Sequence, residues 1–206
     1  MSVISSSVDT HLDGRSDHKP RTRQALIDAS LTLFASKDYD STSIDEIAAL
    51  VGVSPRTFFR YFDTKDQVLF FGGDAFNEAV VRGLPEQPVQ LDDLAALEAT
   101  LIGLAPMVTP IKARIRLFYQ ALEGSPALMG QQELAARKHD ASVAAALADR
   151  RALARPDAQC RMAAALASVA VRHAYASWLD SRRPLPALFE ESFSLLRLVS
   201  SAETLA

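Results

Sequence analysis

Cysteine is almost absent: the 206-residue chain has one, Cys160. No disulfide can form within the chain, and nothing points to an oxidising compartment. Glycine is also scarce, with eight residues, and no Gly-rich phosphate loop is found. No Glu-x-x-His pair is present to build a di-metal bundle site. The first twenty residues, Met1 to Pro20, are polar and lack the apolar stretch of a signal peptide. No uncharged apolar run of membrane-spanning length is read, so no membrane partner is expected and a cytoplasmic location follows by default. An excess of positive charge is missing too, since the net charge is −3. That argues against a protein that coats nucleic acid non-specifically, but not against a specific binder with its positive charge on one face. No cofactor, no metal and no enzymatic activity are expected.

What is present is the material of helices. The chain is 49% hydrophobic and 23% charged, rich in alanine towards its second half. Residues 1–18 show no periodicity and read as a disordered arm. Lys19, Arg21 and Arg23 follow, as a solvated helix start or as phosphate contacts. From Arg21 to near Lys37, Ala25, Leu26, Ala29, Leu33 and Phe34 share one helical face. Ser43 and Glu46 form a capping-box pattern that starts a second helix, with Ile44, Ile47 and Ala48 inward. Gly52 supplies the left-handed residue of a tight turn. Ser54 and Pro55 start a third helix, PRTFFRYF, and Thr64 with Gln67 suggests a capping box for a fourth. Five further helices are expected at about 91–105, 111–123, 127–150, 157–181 and 187–201, punctuated by Pro106, Pro110, Pro126, Pro156, Pro184 and Pro186.

Two short helices joined by a Gly turn have the geometry of a helix-turn-helix. Its second helix needs one face for the core and one for the major groove. Phe58 and Phe62 share one side, while Arg56, Thr57 and Arg60 share the other, with Tyr61 at the border. Arginine can reach guanine or phosphate; threonine can meet a phosphate or a thymine methyl. Phe59 projects away from Phe58, to contact the DNA backbone or to pack on a neighbouring helix. Lys65, at the start of the fourth helix, is placed to hold a phosphate.

The ungapped stretch from Arg21 to Leu69 resembles the DNA-binding domain of the TetR family. The match is carried by Ala29 with Leu33-Phe34-Ala35 and by Thr42-Ser43-Ile44-Asp45-Glu46-Ile47-Ala48. It continues through Gly52-Val53-Ser54, Thr57-Phe58-Phe59-Arg60-Tyr61-Phe62 and Lys65. The resemblance implies an all-α fold: an N-terminal three-helix helix-turn-helix domain at 19–66 and a C-terminal helical-bundle domain for ligand binding and dimerisation at 67–206. It also implies a homodimeric repressor that binds a palindromic operator on double-stranded DNA and is released by a small-molecule effector. Carried over by position, the DNA contacts are Thr42, Ser43, Pro55, Arg56, Thr57, Phe59, Tyr61 and Lys65. Arg60 is added for its outward position. Many members have Tyr where Phe59 stands, so a phosphate hydrogen bond there is in doubt.

In the second half, Gly124-Ser125-Pro126-Ala127-Leu128, Ala144-Ala145-Ala146-Leu147-Ala148 and Ala176-Ser177-Trp178-Leu179 are similar to an actinobacterial subgroup described as binding acyl-CoA-like ligands. Candidate lining for an apolar pocket is Phe70, Phe76, Leu101, Met107, Phe118, Tyr119, Leu122, Tyr175 and Trp178. Arg114 and Arg116 are candidates for an anionic head group or plain surface charges. The small residues of 157–181 suit a dimer face or an ordinary bundle. Gly72 and Gly73 within the fourth helix read as a hinge or as a tight packing site. His139, Asp140 and Glu133 fall on different helix faces, against a metal group, and His173 reads as a core or interface residue. Cys160, near Arg155 and Arg161, leaves a redox-sensing alternative open. A helical protein-interaction module is the other alternative, discriminated by the outward basic residues of the third helix.

Overall fold

The computed structural model describes residues 14–201, and no strand occurs among them. The helices are α1 (Gly14–Lys37), α2 (Ile44–Val51), α3 (Pro55–Phe59), α4 (Gln67–Gly83), α5 (Asp93–Val108), α6 (Lys112–Glu123), α7 (Pro126–Arg150), α8 (Ala158–Leu179) and α9 (Leu185–Ser201). Short 3-10 turns at Leu84–Glu86 and Thr109–Ile111 complete the described elements.

Most helix starts are fixed by small polar caps. Ser43, Ser54, Asp92, Ser125 and Asp157 each accept a hydrogen bond from a backbone N–H of the first turn. Such a cap satisfies a donor that the helix itself leaves orphaned. α1 ends at Asp38, which takes a left-handed φ of 86° and accepts from the Ser41 N–H at 2.7 Å. Aspartate tolerates that conformation because its carboxylate bonds locally.

Several boundaries differ from the sequence expectation. α1 begins at Gly14 rather than Arg21, within the stretch read as a disordered arm. Once a helix is nucleated, each added residue gains a bond at little cost, so a polar segment without periodicity can still continue it. The rest of the arm, 1–13, lies outside the described residues. The Thr64–Gln67 capping box does not form. Gln67 Oε1 instead accepts from the Asp63 N–H at 2.8 Å, and α4 starts at Gln67. α5 runs through Pro106 to Val108, and the Ile102 carbonyl there goes without the donor that residue 106 would otherwise supply. The stretch Asp93–Glu123 is long and apolar enough, by length and composition, to cross a membrane. This amends the sequence reading. Its hydropathy has a core explanation: Ala96, Leu97, Leu101, Ala105 and Val108 are buried in the bundle. Glu98, within that stretch, pairs with Arg197 of α9.

Two hydrophobic clusters organise the chain. The larger joins α5, α7, α8 and α9, with Phe189 and Phe193 fully buried and Ala163, Ala164, Ala167, Ala170 and Ala174 letting helices approach closely. The smaller is built on Leu26, Phe34, Ile47, Phe58 and Phe62, and it also takes in Ala121, Leu122 and Leu128 from α6 and α7. The packing of the helix-turn-helix therefore runs on into the body rather than stopping at residue 66. A buried carboxylate, Asp93, closes the far end of the bundle, reached by Arg151 Nη1 at 3.4 Å and Gln159 Nε2 at 3.3 Å.

Candidate nucleic-acid interface and internal cavity

The α2–turn–α3 unit is held by local hydrogen bonds. Ser43 N donates to Glu46 Oε2 at 2.9 Å and Glu46 N donates to Ser43 Oγ at 3.2 Å, which is the capping box the spacing predicts. Lys37 pairs with the same Glu46 and ties the end of α1 to α2. The Lys37 and Ser43 hydrogen bonds hold the Glu46 carboxyl well below its ordinary value, at about 2. Gly52 adopts φ 73°, and the Val53 N–H behind it donates to Ala48 O at 2.9 Å. Ser54 caps α3 through the Thr57 N–H at 3.2 Å, with Pro55 at the first position.

The two faces of α3 separate as its pattern requires. Phe58 is fully buried, and its ring meets Phe62 at 5.5 Å and Phe59 edge-on at 5.7 Å. Pro55, Arg56 and Arg60 are exposed, as is Ser43, while Thr57 and Tyr61 are half-buried. Phe59 is 52% exposed, and its ring contact is with Phe58 of its own helix. Arg60 lies over the Tyr61 ring at 5.1 Å and donates to its hydroxyl at 3.3 Å, which fixes an otherwise flexible side chain. A shallow cleft lined by Lys19, Pro20, Arg23, Gln24, Ile27, Arg60 and Tyr61 extends this basic surface onto α1.

Thr42 and Lys65 point elsewhere. The Thr42 side chain is buried, and its hydroxyl donates to Asp38 O at 2.7 Å. Lys65 Nζ donates to Tyr39 O at 2.6 Å and Thr42 O at 2.8 Å, and sits 4.0 Å from the Tyr39 ring centroid. Burial lowers its pKa, against the pull of Asp40, Asp38 and Asp66. Two of its three N–H donors are therefore used to clip the α1–α2 loop onto the start of α4.

A cavity of about 470 Å³ lies in the body and reaches the head. α4 contributes Phe70, Gly72, Gly73 and Phe76, and α5 contributes Leu97 and Leu101. α6 contributes Arg114, Phe118 and Tyr119, and α8 contributes Ala164, Ala167, Val171 and Tyr175. Six of the nine residues expected to line a pocket do so: Phe70, Phe76, Leu101, Phe118, Tyr119 and Tyr175. Three do not. Met107 is 46% exposed on the outer face of α5, and Leu122 belongs to the head's core. Trp178 is buried beside Tyr175, with Lys112 Nζ over its ring at 5.0 Å. Residues of α1 were missed: Gln24, Ile27 and Leu31 line the cavity. Next to them, Arg114 of α6 grips Asp28 of α1 through Nε–Oδ1 at 2.5 Å and Nη2–Oδ2 at 3.0 Å. Arg116 is 4.0 Å from Asp180 and does not line the cavity.

Other singled-out groups have plain partners. His139 meets Asp74 at 2.9 Å, joining α7 to α4, and His173 meets Ser192 at 2.9 Å, joining α8 to α9. Cys160 is fully buried under the cap of α8, and Arg151 Nη1 donates to its sulfur at 3.4 Å. That burial removes the solvent access a redox sensor needs.

Residues 26–70 match the family model described as bacterial regulatory proteins, tetR family, and residues 93–200 match the model described as MftR C-terminal domain. TcmR, an HTH-type transcriptional regulator of Streptomyces glaucescens, is 39% identical over 77 residues, 37% of this chain and 34% of TcmR. The match thus spans about a third of that relative's length. NalD of Pseudomonas aeruginosa, the secondary repressor of the MexAB-OprM multidrug efflux pump, shares the fold at TM-score 0.58 and 17% identity, over 86% of this chain and 96% of NalD. A transcriptional regulator of Aquifex aeolicus does so at TM-score 0.53 and 17% identity, over 86% of this chain and 99% of its own. The two family models between them cover the helix-turn-helix and more than half of the chain, and the protein belongs to the TetR family of bacterial transcriptional regulators, which are non-enzymatic DNA-binding proteins.

Proposed function

We propose that the chain is a homodimeric repressor that holds a palindromic operator and leaves it when a small, apolar or acyl-type effector fills the cavity. The observation that carries this reading is the shared wall. α1 and α4, which frame the helix-turn-helix, also line the cavity through Gln24, Ile27, Leu31, Phe70 and Phe76. An occupant that pushes on α4 or α6 changes where the head sits, and the Asp28–Arg114 pair couples α6 directly to α1.

On DNA, α3 lies in the major groove. Arg56 and Arg60 reach base edges or phosphates, Thr57 offers its methyl, and Pro55, Phe59 and Tyr61 pack against the backbone. Ser43 stands at the start of α2, where its flank meets the phosphates. Thr42 and Lys65 act by shaping the loop between α1 and α2, with the one spare N–H of Lys65 left for a phosphate. The dimer forms through α8 and α9, which expose Met162, Val169, Leu195 and Val199. Apolar side chains in that number on neighbouring helices suit a buried partner face.

The test is selection of random double-stranded DNA on the purified protein at a stated, near-physiological salt. Enrichment of one palindrome is expected. Weak, salt-sensitive binding with no enriched sequence would overturn the reading and favour a protein-interaction module.

A further inference from the structure

We propose that the cavity is shaped for an amphipathic carboxylate, with an apolar body along α4, α5 and α8 and its acidic head between Tyr119, Tyr175 and Arg172. This rests on the reading of the cavity as the effector site.

Most of the cavity wall is hydrocarbon: Leu31, Val68, Phe76, Val80, Leu97, Leu101 and neighbouring side chains. Against it stand two phenols. Tyr119 of α6 and Tyr175 of α8 both line the cavity, and neither hydroxyl has a hydrogen-bonding partner among the described residues. A hydroxyl that faces the cavity with no protein partner is free to donate to whatever occupies the space. Burial raises both phenols above their ordinary value, and the proximity of Tyr119 raises Tyr175 further. Both therefore remain O–H donors at neutral pH.

Arg172 adds the charge. It lies three residues before Tyr175 on α8, lines the same cavity, and has no carboxylate within ion-pair distance among the described residues. It is close enough to Tyr119 to offset part of that phenol's rise. The other charged groups of the wall are engaged: Arg114 with Asp28, Glu133 with Arg137 and His139 with Asp74. Asp140 accepts from Ser168 and has no cation within ion-pair distance among the described residues, so it defines the competing chemistry, an ammonium head. Two phenolic donors and an unpaired guanidinium outweigh one carboxylate already holding a hydroxyl. Their complement is an acceptor-rich anion.

The chain's single tryptophan, Trp178, has its ring centroid 5.8 Å from that of Tyr175 and reports occupancy by fluorescence. The full-length protein is titrated with decanoate, 1-decanol and decylammonium, each below its micelle concentration. Decanoate is expected to bind at least tenfold more tightly than 1-decanol. Tyr119→Phe and Tyr175→Phe should each weaken decanoate by about threefold to tenfold and leave 1-decanol unchanged. Retained binding of 1-decanol shows that the variants fold. Arg172→Gln should remove most of the preference for decanoate. Equal or tighter binding of 1-decanol or of decylammonium overturns the head-group assignment and leaves the cavity reading intact. No binding of any probe overturns both.

Discussion

Lys65 shows how far one side chain can depart from its position in a motif. Its place at the start of the fourth helix is readable from sequence spacing. Its attachment to Tyr39 O and Thr42 O, across 26 and 23 residues, is a tertiary fact that no local pattern encodes. Lys65→Met takes the ammonium from both carbonyls, leaving Tyr39 O with the Thr42 N–H at 3.3 Å, and should cost about 1–3 kcal/mol in urea unfolding. An unchanged midpoint would mean that water replaces the ammonium. Glu46 was legible, because a capping box is local, and its acid behaviour follows from the fold. Its pKa falls from 4.5 to about 2 on folding, so its contribution is present above 4.5 and is lost as pH falls through about 2. The stability gap between the protein and Glu46→Gln should therefore narrow as pH drops across that window. A gap that widens on acidification would rule out the assignment. On the DNA face, Arg56→Ala with Thr57→Ala should abolish operator binding while leaving the oligomeric state unchanged; retained binding would remove their assigned role.

Among the helices, α4 carries two residues that ordinary helix chemistry disfavours. A Cβ at Gly72 would meet nothing within 4 Å, and one at Gly73 would meet only His139 Cε1 at 3.6 Å. Tight packing therefore does not explain either glycine. Alanine at each position should stabilise the protein by about 1 kcal/mol, seen as a higher thermal midpoint. If the pair serves as a hinge, the double variant should also need more effector to leave its operator; an unchanged release curve would dismiss the hinge. Between α1 and α6, Arg114→Ala removes the clasp on Asp28. Operator affinity should change little while the response to effector weakens, as read by DNA release at increasing ligand. The helix order was legible because periodicity, caps and prolines are local. The cavity was legible in part. Phe70, Phe76 and Phe118 stand out in the sequence as large apolar side chains and do line the cavity. Gln24, Ile27, Ala164 and Ala167 carry no such signal, since space is created by small residues and by which helices face each other. Trp178 and Met107 went astray for the same reason: size and apolarity do not tell which side of a helix meets a void.

At the scale of the whole molecule, the proposed partner face is outside the single chain. Leu195→Asp with Val199→Asp should shift the protein to monomer in sedimentation and reduce operator affinity, because one head alone meets half of a palindrome. A dimer that survives both changes would place the interface elsewhere. The alanine-rich stretch of α8 suggested this face without deciding it, because small residues serve an intramolecular contact equally well. The core beneath the helix-turn-helix sets a further condition. Ala121, Leu122 and Leu128 fill it from two helices that lie far along the chain. A graft that moves only the helix-turn-helix onto another regulator would strip that cluster of Ala121, Leu122 and Leu128 and leave a wet, loosened unit. Exchange of specificity in the laboratory has to carry the matching side of α6 and the first turn of α7, or re-fit them to the incoming head. If Arg56 and Arg60 read the operator as proposed, a lineage can retune it by changing either one far more cheaply than by borrowing a whole head.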